Sequence, residues 1–244
     1  MDHFELFLFL LPLIAFLYAS VGHGGASGYL ALMALFSFPP EVMKPTALLL
    51  NLFVAGISFY HFWKNGYFNG KLFLFFAIGS IPLSYLGGLY DIDTRLYKII
   101  LGMLLLFAIA KMLNLFGEEL NEIRDVKWYQ GVFVGGIIGF FSGLIGIGGG
   151  IILSPVILLM KWGRMKEAAA VSALFIWVNS ASGMAGQITK GIHFHPASSF
   201  FVLLVVIGSF FGSLVGSSVL NNKSLRYLLA FVLTLASVKL FFLP

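Results

Sequence analysis

The chain has no cysteine among its 244 residues, which excludes disulfides, thiolate catalysis and cysteine-ligated metals. Charge is scarce as well. Asp, Glu, Lys and Arg together make up 10% of the residues, against roughly 25% in a soluble domain, too few to cover a water-facing surface. No carboxylate falls mid-span: Asp2, Glu5, Glu41, Asp91, Asp93, Glu118, Glu119, Glu122, Asp125 and Glu167 all lie in connections or at the N-terminus. No GxxxxGK[ST] motif occurs, because Gly66–Lys71 has the wrong spacing and continues into Leu72, so phosphate-loop chemistry is excluded. No soluble strand–helix–strand unit surrounds a glycine-rich stretch, which removes a dinucleotide fold. Basic residues with interleaved aromatics are absent too, so no nucleic-acid partner is expected. No cleavable signal peptide is evident, since the N-terminus is acidic and its apolar run passes into a glycine segment.

What remains is apolar. Hydrophobic residues account for 59% of the chain and mean hydropathy is +0.97, the composition of a polytopic membrane protein. Polar punctuation separates apolar segments at 4–20, 25–38, 45–63, 71–89, 95–115, 128–142, 149–160, 167–188, 197–220 and 224–243. Continuous runs, rather than alternating stretches of about ten residues, argue for helices and against a β-barrel. Segments 25–38, 128–142 and 149–160 fall short of the roughly 20 residues that a full crossing needs. All three flank glycine-rich stretches.

The chain also repeats itself. Gly22-His23-Gly24-Gly25-Ala26 superposes on Gly146-Ile147-Gly148-Gly149-Gly150, "GSIPLSYLGG" (Gly79–Gly88) on "GSFFGSLVGS" (Gly208–Ser217), and "LYKIILGMLLLFAIAKML" on "LRYLLAFVLTLASVKLFF", with an offset between about 122 and 129 residues. Three landmarks in one order imply two homologous halves, residues 1–115 and 128–244, joined by a polar cytoplasmic linker at 116–127. With five segments per half, one side of the membrane holds ten basic residues (Lys64, Lys71, Lys111, Arg124, Lys127, Lys161, Arg164, Lys166, Lys223, Arg226) and the other five (Lys44, Arg95, Lys98, Lys190, Lys239). Four crossings per half would remove this bias. The positive-inside rule therefore favours odd parity, outward termini and inverted halves. Re-entrant hairpins at the glycines give the same parity. The expected fold is an all-α polytopic membrane protein with two inverted halves, each of about five helical segments including a glycine-broken short pair.

Short, glycine-interrupted segments at matching places in inverted repeats mark a transporter's solute site. Gly22, Gly24, Gly25, Gly146, Gly148, Gly149 and Gly150 let the backbone leave the helix and let another group approach. The freed N–H groups and the positive ends of the following half-helices then suit an anion. Tight helix packing through small residues is the alternative reading of the same glycines, and the two are compatible. Asn51 and Asn179 are carboxamides deep in apolar spans, each able either to donate to an oxyanion or to bond a neighbouring helix. Thr46, Ser172 and Ser182 are weaker candidates, hydroxyls that commonly back-bond to their own helix. His23, inside the first glycine stretch, can donate to an anion, carry a coupling proton, or be structural. His193 and His195 lack the partners of a metal site. His61 with Trp63 and Lys64 reads as an interfacial anchor, and Lys44-Pro45 as an ordinary helix start.

"SGLIGIGGGIILSP" (Ser142–Pro155), its degenerate twin "SVGHGGASGYL" (Ser20–Leu30), "PTALLLNLFVAG" (Pro45–Gly56) and "VSALFIWVNSASG" (Val171–Gly183) resemble the sulfite exporter TauE/SafE family over nearly the whole chain. The resemblance implies movement of small sulfur-containing anions such as sulfite, organosulfonates or sulfoacetate. The expectation is a secondary transporter of the inner membrane working by alternating access, with a small inorganic or organic anion and membrane lipid as partners, no cofactor and no metal. A passive anion channel is the alternative; an integral membrane enzyme would need a nucleophile–base pair or metal cluster that the sequence does not offer. A homo-oligomer is compatible with this reading.

Overall fold

A computed structural model describes residues 3–113, 123–192 and 194–218, with residues 234, 237 and 238. Among these, nine α-helices follow in chain order: α1 (His3–Ser20), α2 (Ala26–Leu35), α3 (Pro40–Lys64), α4 (Gly70–Leu89), α5 (Thr94–Met112), α6 (Trp128–Ile145), α7 (Gly150–Leu159), α8 (Met165–Ile188) and α9 (Ser198–Ser218). Five of them, α3, α4, α6, α8 and α9, are long and apolar enough to cross a membrane. The helical lengths recur: α2 and α7 have 10 residues each, α3 and α8 have 25 and 24, and α4 and α9 have 20 and 21. The expected segment at 224–243 lies outside the described residues apart from isolated positions.

Two boundaries differ from the sequence reading. The segment expected at 128–142 is an 18-residue helix that continues through Ser142, Gly143 and Leu144 and ends only where Gly146 turns left-handed (φ 87°), so α6 is long enough to cross and, of the three segments read as short, only those of α2 and α7 stay so. Helix α3 starts at Pro40 behind an extended Pro39, rather than at Lys44-Pro45. Proline is tolerated in the first turn because the N–H it lacks has no partner there. Lys44 and Pro45 consequently lie in the second turn, inside the protein.

Glycines dictate the packing. Gly131, Gly135, Gly139 and Gly143 fall on one face of α6, and the Phe76, Ser80 and Ser84 carbonyls of α4 occupy the space that side chains at the last three would need. Gly208, Gly212 and Gly216 of α9 admit the Pro12, Phe16 and Ser20 carbonyls of α1 in the same way. Hydrocarbon supplies no hydrophobic drive between helices, so such close van der Waals approach is what holds them. The pairings exchange between halves: α4 lies on α6 and α8, as α9 lies on α1 and α3.

Helices α3 and α8 cross at the centre in opposite directions. The start of α3 and the end of α8 share a cavity at Lys44 and Gln187, their middles meet at Asn51 and Ser180, and Phe62 near the end of α3 packs with Ala169 and Ala170 near the start of α8. Helices α1 and α2 form a hairpin: Gly28 faces Tyr18 and Ile14, Tyr18 bonds Ser27 at 2.8 Å, and Phe7 stacks on Phe38 beyond the end of α2. Helices α6 and α7 form the second hairpin, with Arg124 before α6 donating its N–H to the Lys161 carbonyl after α7.

Candidate functional site

Each hairpin turns through glycines in the left-handed region: Gly22 and Gly25 (φ 74° and 90°) in the first, Gly146, Gly148 and Gly149 (φ 87°, 73° and 78°) in the second. A side chain strains that conformation by roughly 1–2 kcal/mol per residue. The first turn runs from Ala169 and Phe62, against Gly22, to Asn51 and Ile176, against Gly24. The second runs from Lys44, against Gly146, to Asn51 and Ile176 again, against Gly148. The two motifs therefore enter from opposite ends of the α3–α8 crossing and meet at its middle. A methyl group on Gly24 would lie 2.7 Å from both Asn51 Oδ1 and Ile176 Cγ2; one on Gly148 would lie 2.5 Å from Asn51 Nδ2 and 2.7 Å from the same Cγ2.

The short helices start at this meeting point and run away from it. In α2 the first i→i−4 bond is donated by Tyr29 to Gly25, and in α7 by Leu153 to Gly149. The amides of the opening residues, Ala26, Ser27 and Gly28 in one helix and Gly150 and Ile151 in the other, have no acceptor within their helices. Two helix N-termini, each equivalent to about half a positive charge, thus converge on one carboxamide. Asn51 is fully buried, donates from Nδ2 to Ser180 Oγ at 3.3 Å, and has no partner for Oδ1.

His23 ties the halves together. It is 4% exposed; its Nδ1 pairs with the Val21 carbonyl at 2.8 Å and its Nε2 with the Ser154 hydroxyl of α7 at 3.0 Å. With Nδ1 donating to the carbonyl, Nε2 accepts. Ser154 also lies 2.8 Å from Ser172 Oγ and 3.1 Å from the Gly150 carbonyl. Ser154 has no counterpart in the repeat comparison that would have drawn notice; its signal is a serine four residues after Gly150 on a ten-residue helix.

The structure gathers Gly22, His23, Gly24, Gly25, Gly146, Gly148, Gly149, Gly150 and Asn51 around the two turns, and it turns Asn179 elsewhere. Both Asn179 N–H groups are used, one on Ser80 Oγ of α4 at 3.1 Å and one on the Phe175 carbonyl at 2.8 Å, and Ser84 donates to the Asn179 carbonyl. Ser182 donates to Ile81 O of α4 at 2.6 Å, and Thr46 is buried with no partner for its hydroxyl. His61 points into the protein: it is 9% exposed and its Nδ1 meets Ser213 of α9 at 2.7 Å, whereas Trp63, two residues on in the same last turn of α3, is 55% exposed. His195 accepts from its own chain at Ala197 N–H and stacks on Phe201; His193 lies outside the described residues.

One residue that reads as scaffold in the sequence lies beside the second glycine turn. Lys44 is 8% exposed, donates to Tyr90 O at 3.3 Å, and carries Gly146 against its stem.

Sequence comparison places these features in a family. The pattern of the sulfite exporter TauE/SafE family matches residues 7–240. The chain is 35% identical over 231 residues to the probable membrane transporter protein y4hK of Sinorhizobium fredii, covering 93% of this chain and 94% of that one. It is 27% identical over 251 residues to the probable membrane transporter protein MJ0441 of Methanocaldococcus jannaschii, covering 93% and 94%, and 24% identical over 226 residues to the probable membrane transporter protein YunE of Bacillus subtilis, covering 83% and 81%. No solved structure matches. The chain belongs to the sulfite exporter TauE/SafE family and is a multi-pass membrane transporter.

Proposed function

We propose that the protein is a secondary transporter that moves a small sulfur-containing oxyanion, sulfite or a simple sulfonate, across the inner membrane by alternating access. The observation that carries the reading is the convergence of two half-membrane helix N-termini on the buried, uncharged Asn51. Amide donors and helix dipoles hold an oxyanion without a buried cation, and such a site releases its cargo readily. In the structure the glycine turns close on Asn51, so a solute reaches the centre only when the turns part. The cavity at Lys44 and the apolar seal at Phe62, Ala169 and Ala170 lie at opposite ends of this point, as alternating access requires. An inverted relation of the halves is supported by the opposed directions of α3 and α8 and by the exchange of α4–α6 with α9–α1. The grouping of Lys44 with Lys190 in one cavity, and of Lys166 with Tyr67 at the far end, supports a cytoplasmic face at Lys64, Lys71 and Lys161. We assign no catalytic role to any residue.

The test is flux in proteoliposomes loaded with sulfite. A carrier accelerates uptake of labelled sulfite when unlabelled sulfite is trapped inside; a passive channel does not. Absence of counterflow together with saturable conductance would replace this reading by an anion channel.

A further inference from the structure

We propose that the protein has a second anion site, an antechamber whose floor is formed by Lys44 of α3 and Gln187 of α8, at one end of the pathway to Asn51. The inference rests on the anion-transport reading of the central site, but it stands on different residues.

The cavity holds about 250 Å³, below the roughly 300–1,000 Å³ of a drug-sized ligand pocket, so it fits a small ion with some water. Its polar lining is graded. Glu41 and Asp91 stand exposed at the rim, and Asp91 is neutralised by its ion pair with Lys190. The floor is different. Lys44 is 8% exposed and Gln187 is 6% exposed. Gln187 Nε2 is buried with no acceptor, a state that costs free energy unless a ligand or water completes it. Among the described residues Tyr90 O alone meets the three N–H groups of Lys44, at 3.3 Å. A buried cation beside an unsatisfied amide donor, both lining one cavity, leaves the floor with donors to which neither rim carboxylate hydrogen-bonds. A bound oxyanion supplies an acceptor.

Geometry links this floor to the centre. Lys44 precedes Asn51 by seven residues on α3, and Gln187 follows Ser180 by seven on the opposed α8. Seven residues are two helical turns, about 10 Å. Each floor residue thus stands two turns above one member of the Asn51–Ser180 pair, on the same helix face. The second glycine turn spans the interval, with Gly146 on Lys44 and Gly148 on Asn51. Movement of this one turn would open the floor onto the centre. Among the described residues the opposite end shows no such floor: the counterpart of Lys44, by the offset of 125 that aligns the starts of α3 and α8, is Ala169, which faces Gly22 within the Phe62 cluster.

The absence of cysteine makes the test direct. Ile192 lines the cavity, and Ile192→Cys in the full chain in nanodiscs reports on it through its rate of alkylation by uncharged N-ethylmaleimide. Methanesulfonate is the probe, because sulfite itself consumes the reagent. We expect methanesulfonate to slow the alkylation saturably. Lys44→Met should raise the half-protecting concentration about tenfold or more, and Gln187→Leu about tenfold, the effect of one lost charge-assisted bond. Lys44→Arg and Asn51→Leu should keep the protection. Should Lys44→Met fail to fold, Gln187→Leu alone decides. Absence of protection, or equal protection in both floor variants, overturns the proposal. Loss of protection in Asn51→Leu also overturns it, because closure driven from the centre would then explain the shielding. Failure of the central site reads differently: Asn51→Leu would transport normally while the floor variants still lost protection.

Discussion

Asn51 and Asn179 are each fully buried carboxamides near the middle of a long span, and leucine in place of either should have opposite consequences. Asn179→Leu removes two bonds, to Ser80 Oγ and to the Phe175 carbonyl. Inter-helix bonds in membranes average about 0.6 kcal/mol and those in soluble proteins about 1, so the loss is about 1–3 kcal/mol of stability. At about 2–4 °C per kcal/mol for a chain of this size, the melting temperature falls by several degrees. Asn51→Leu removes one 3.3 Å bond and also the unpartnered Oδ1, so stability changes by about 0.5 kcal/mol or less. Binding behaves the other way. A donor to an oxyanion is worth about 1–3 kcal/mol, so Asn51→Leu should raise the dissociation constant for sulfite roughly tenfold to hundredfold, and Asn179→Leu should leave it unchanged. Asn51→Asp should be worse than leucine, because a like charge in a low-dielectric site repels the anion. Sulfite titration by calorimetry in nanodiscs, beside melting curves for each variant, reads both quantities. An Asn51→Leu protein that binds sulfite within twofold of the parent, or an Asn179→Leu protein that melts normally and binds weakly, would refute the assignment.

Other outcomes follow from the same geometry. Gly139→Ala drives a methyl group into the Ser80 carbonyl of α4, a backbone atom that cannot rotate away, and should lower the melting temperature markedly; an unchanged melt would mean that the α4–α6 seam is loose. Gly149→Val puts a β-branched residue at φ 78° with its first carbon 2.9 Å from Ile138 and Phe175 side-chain atoms, and should abolish sulfite flux in correctly inserted protein; normal flux would remove the second glycine turn from the mechanism. A cysteine at Arg124 should react with an impermeant thiol reagent only from the cytoplasmic side and one at Lys98 only from outside, and labelling of both from one side would end the inverted arrangement.

The glycine turns were legible because only glycine satisfies two demands at once there. Gly148 has a positive φ and its Cα faces Asn51 and Ile176 closely enough to leave no room for a side chain. The spans were legible because lipid forces backbone bonds to close within helices. The bearing of a polar side chain was not legible. Asn179 and Ser180 are neighbours in sequence, yet one step along a helix rotates a side chain by about 100°, and that rotation sends Asn179 to α4 and Ser180 to Asn51. The repeat register does carry a sign of the difference: an offset of 125 pairs Asn51 with Ile176, so Asn51 and Asn179 are not repeat partners. Lys44 was hidden for a related reason. A lysine before a proline resembles a helix start at the membrane surface, and only the helix start at Pro40 and the crossing of α8 place it beneath Tyr90 and beside Gln187.

On the two-half reading, the register also separates what the halves share from what they do not. Backbone features are kept in pairs: Gly22 with Gly146, Gly24 with Gly148, the ten-residue α2 with the ten-residue α7. Chemistry is not. Asn51 stands opposite Ile176, His23 opposite Ile147 and Lys44 opposite Ala169 at the equivalent positions. On the proposed alternating-access reading, a solute at the centre would meet two similar helix ends but, among the described residues at these positions, one carboxamide, and two similar routes but one lysine. Equal scaffolds would let either turn withdraw by the same motion, which is what opening to alternate sides demands. Unequal side chains would then bias the two states, because a solute shifts an equilibrium only by its differential affinity for them. Placing a second lysine by Ala169→Lys, at the seal formed with Phe62, should weaken that bias. It should raise the rate of sulfite flux in the slower direction relative to the faster, measured in oriented proteoliposomes. An unchanged ratio in folded protein would show that the asymmetry of charge at the two ends has no part in direction.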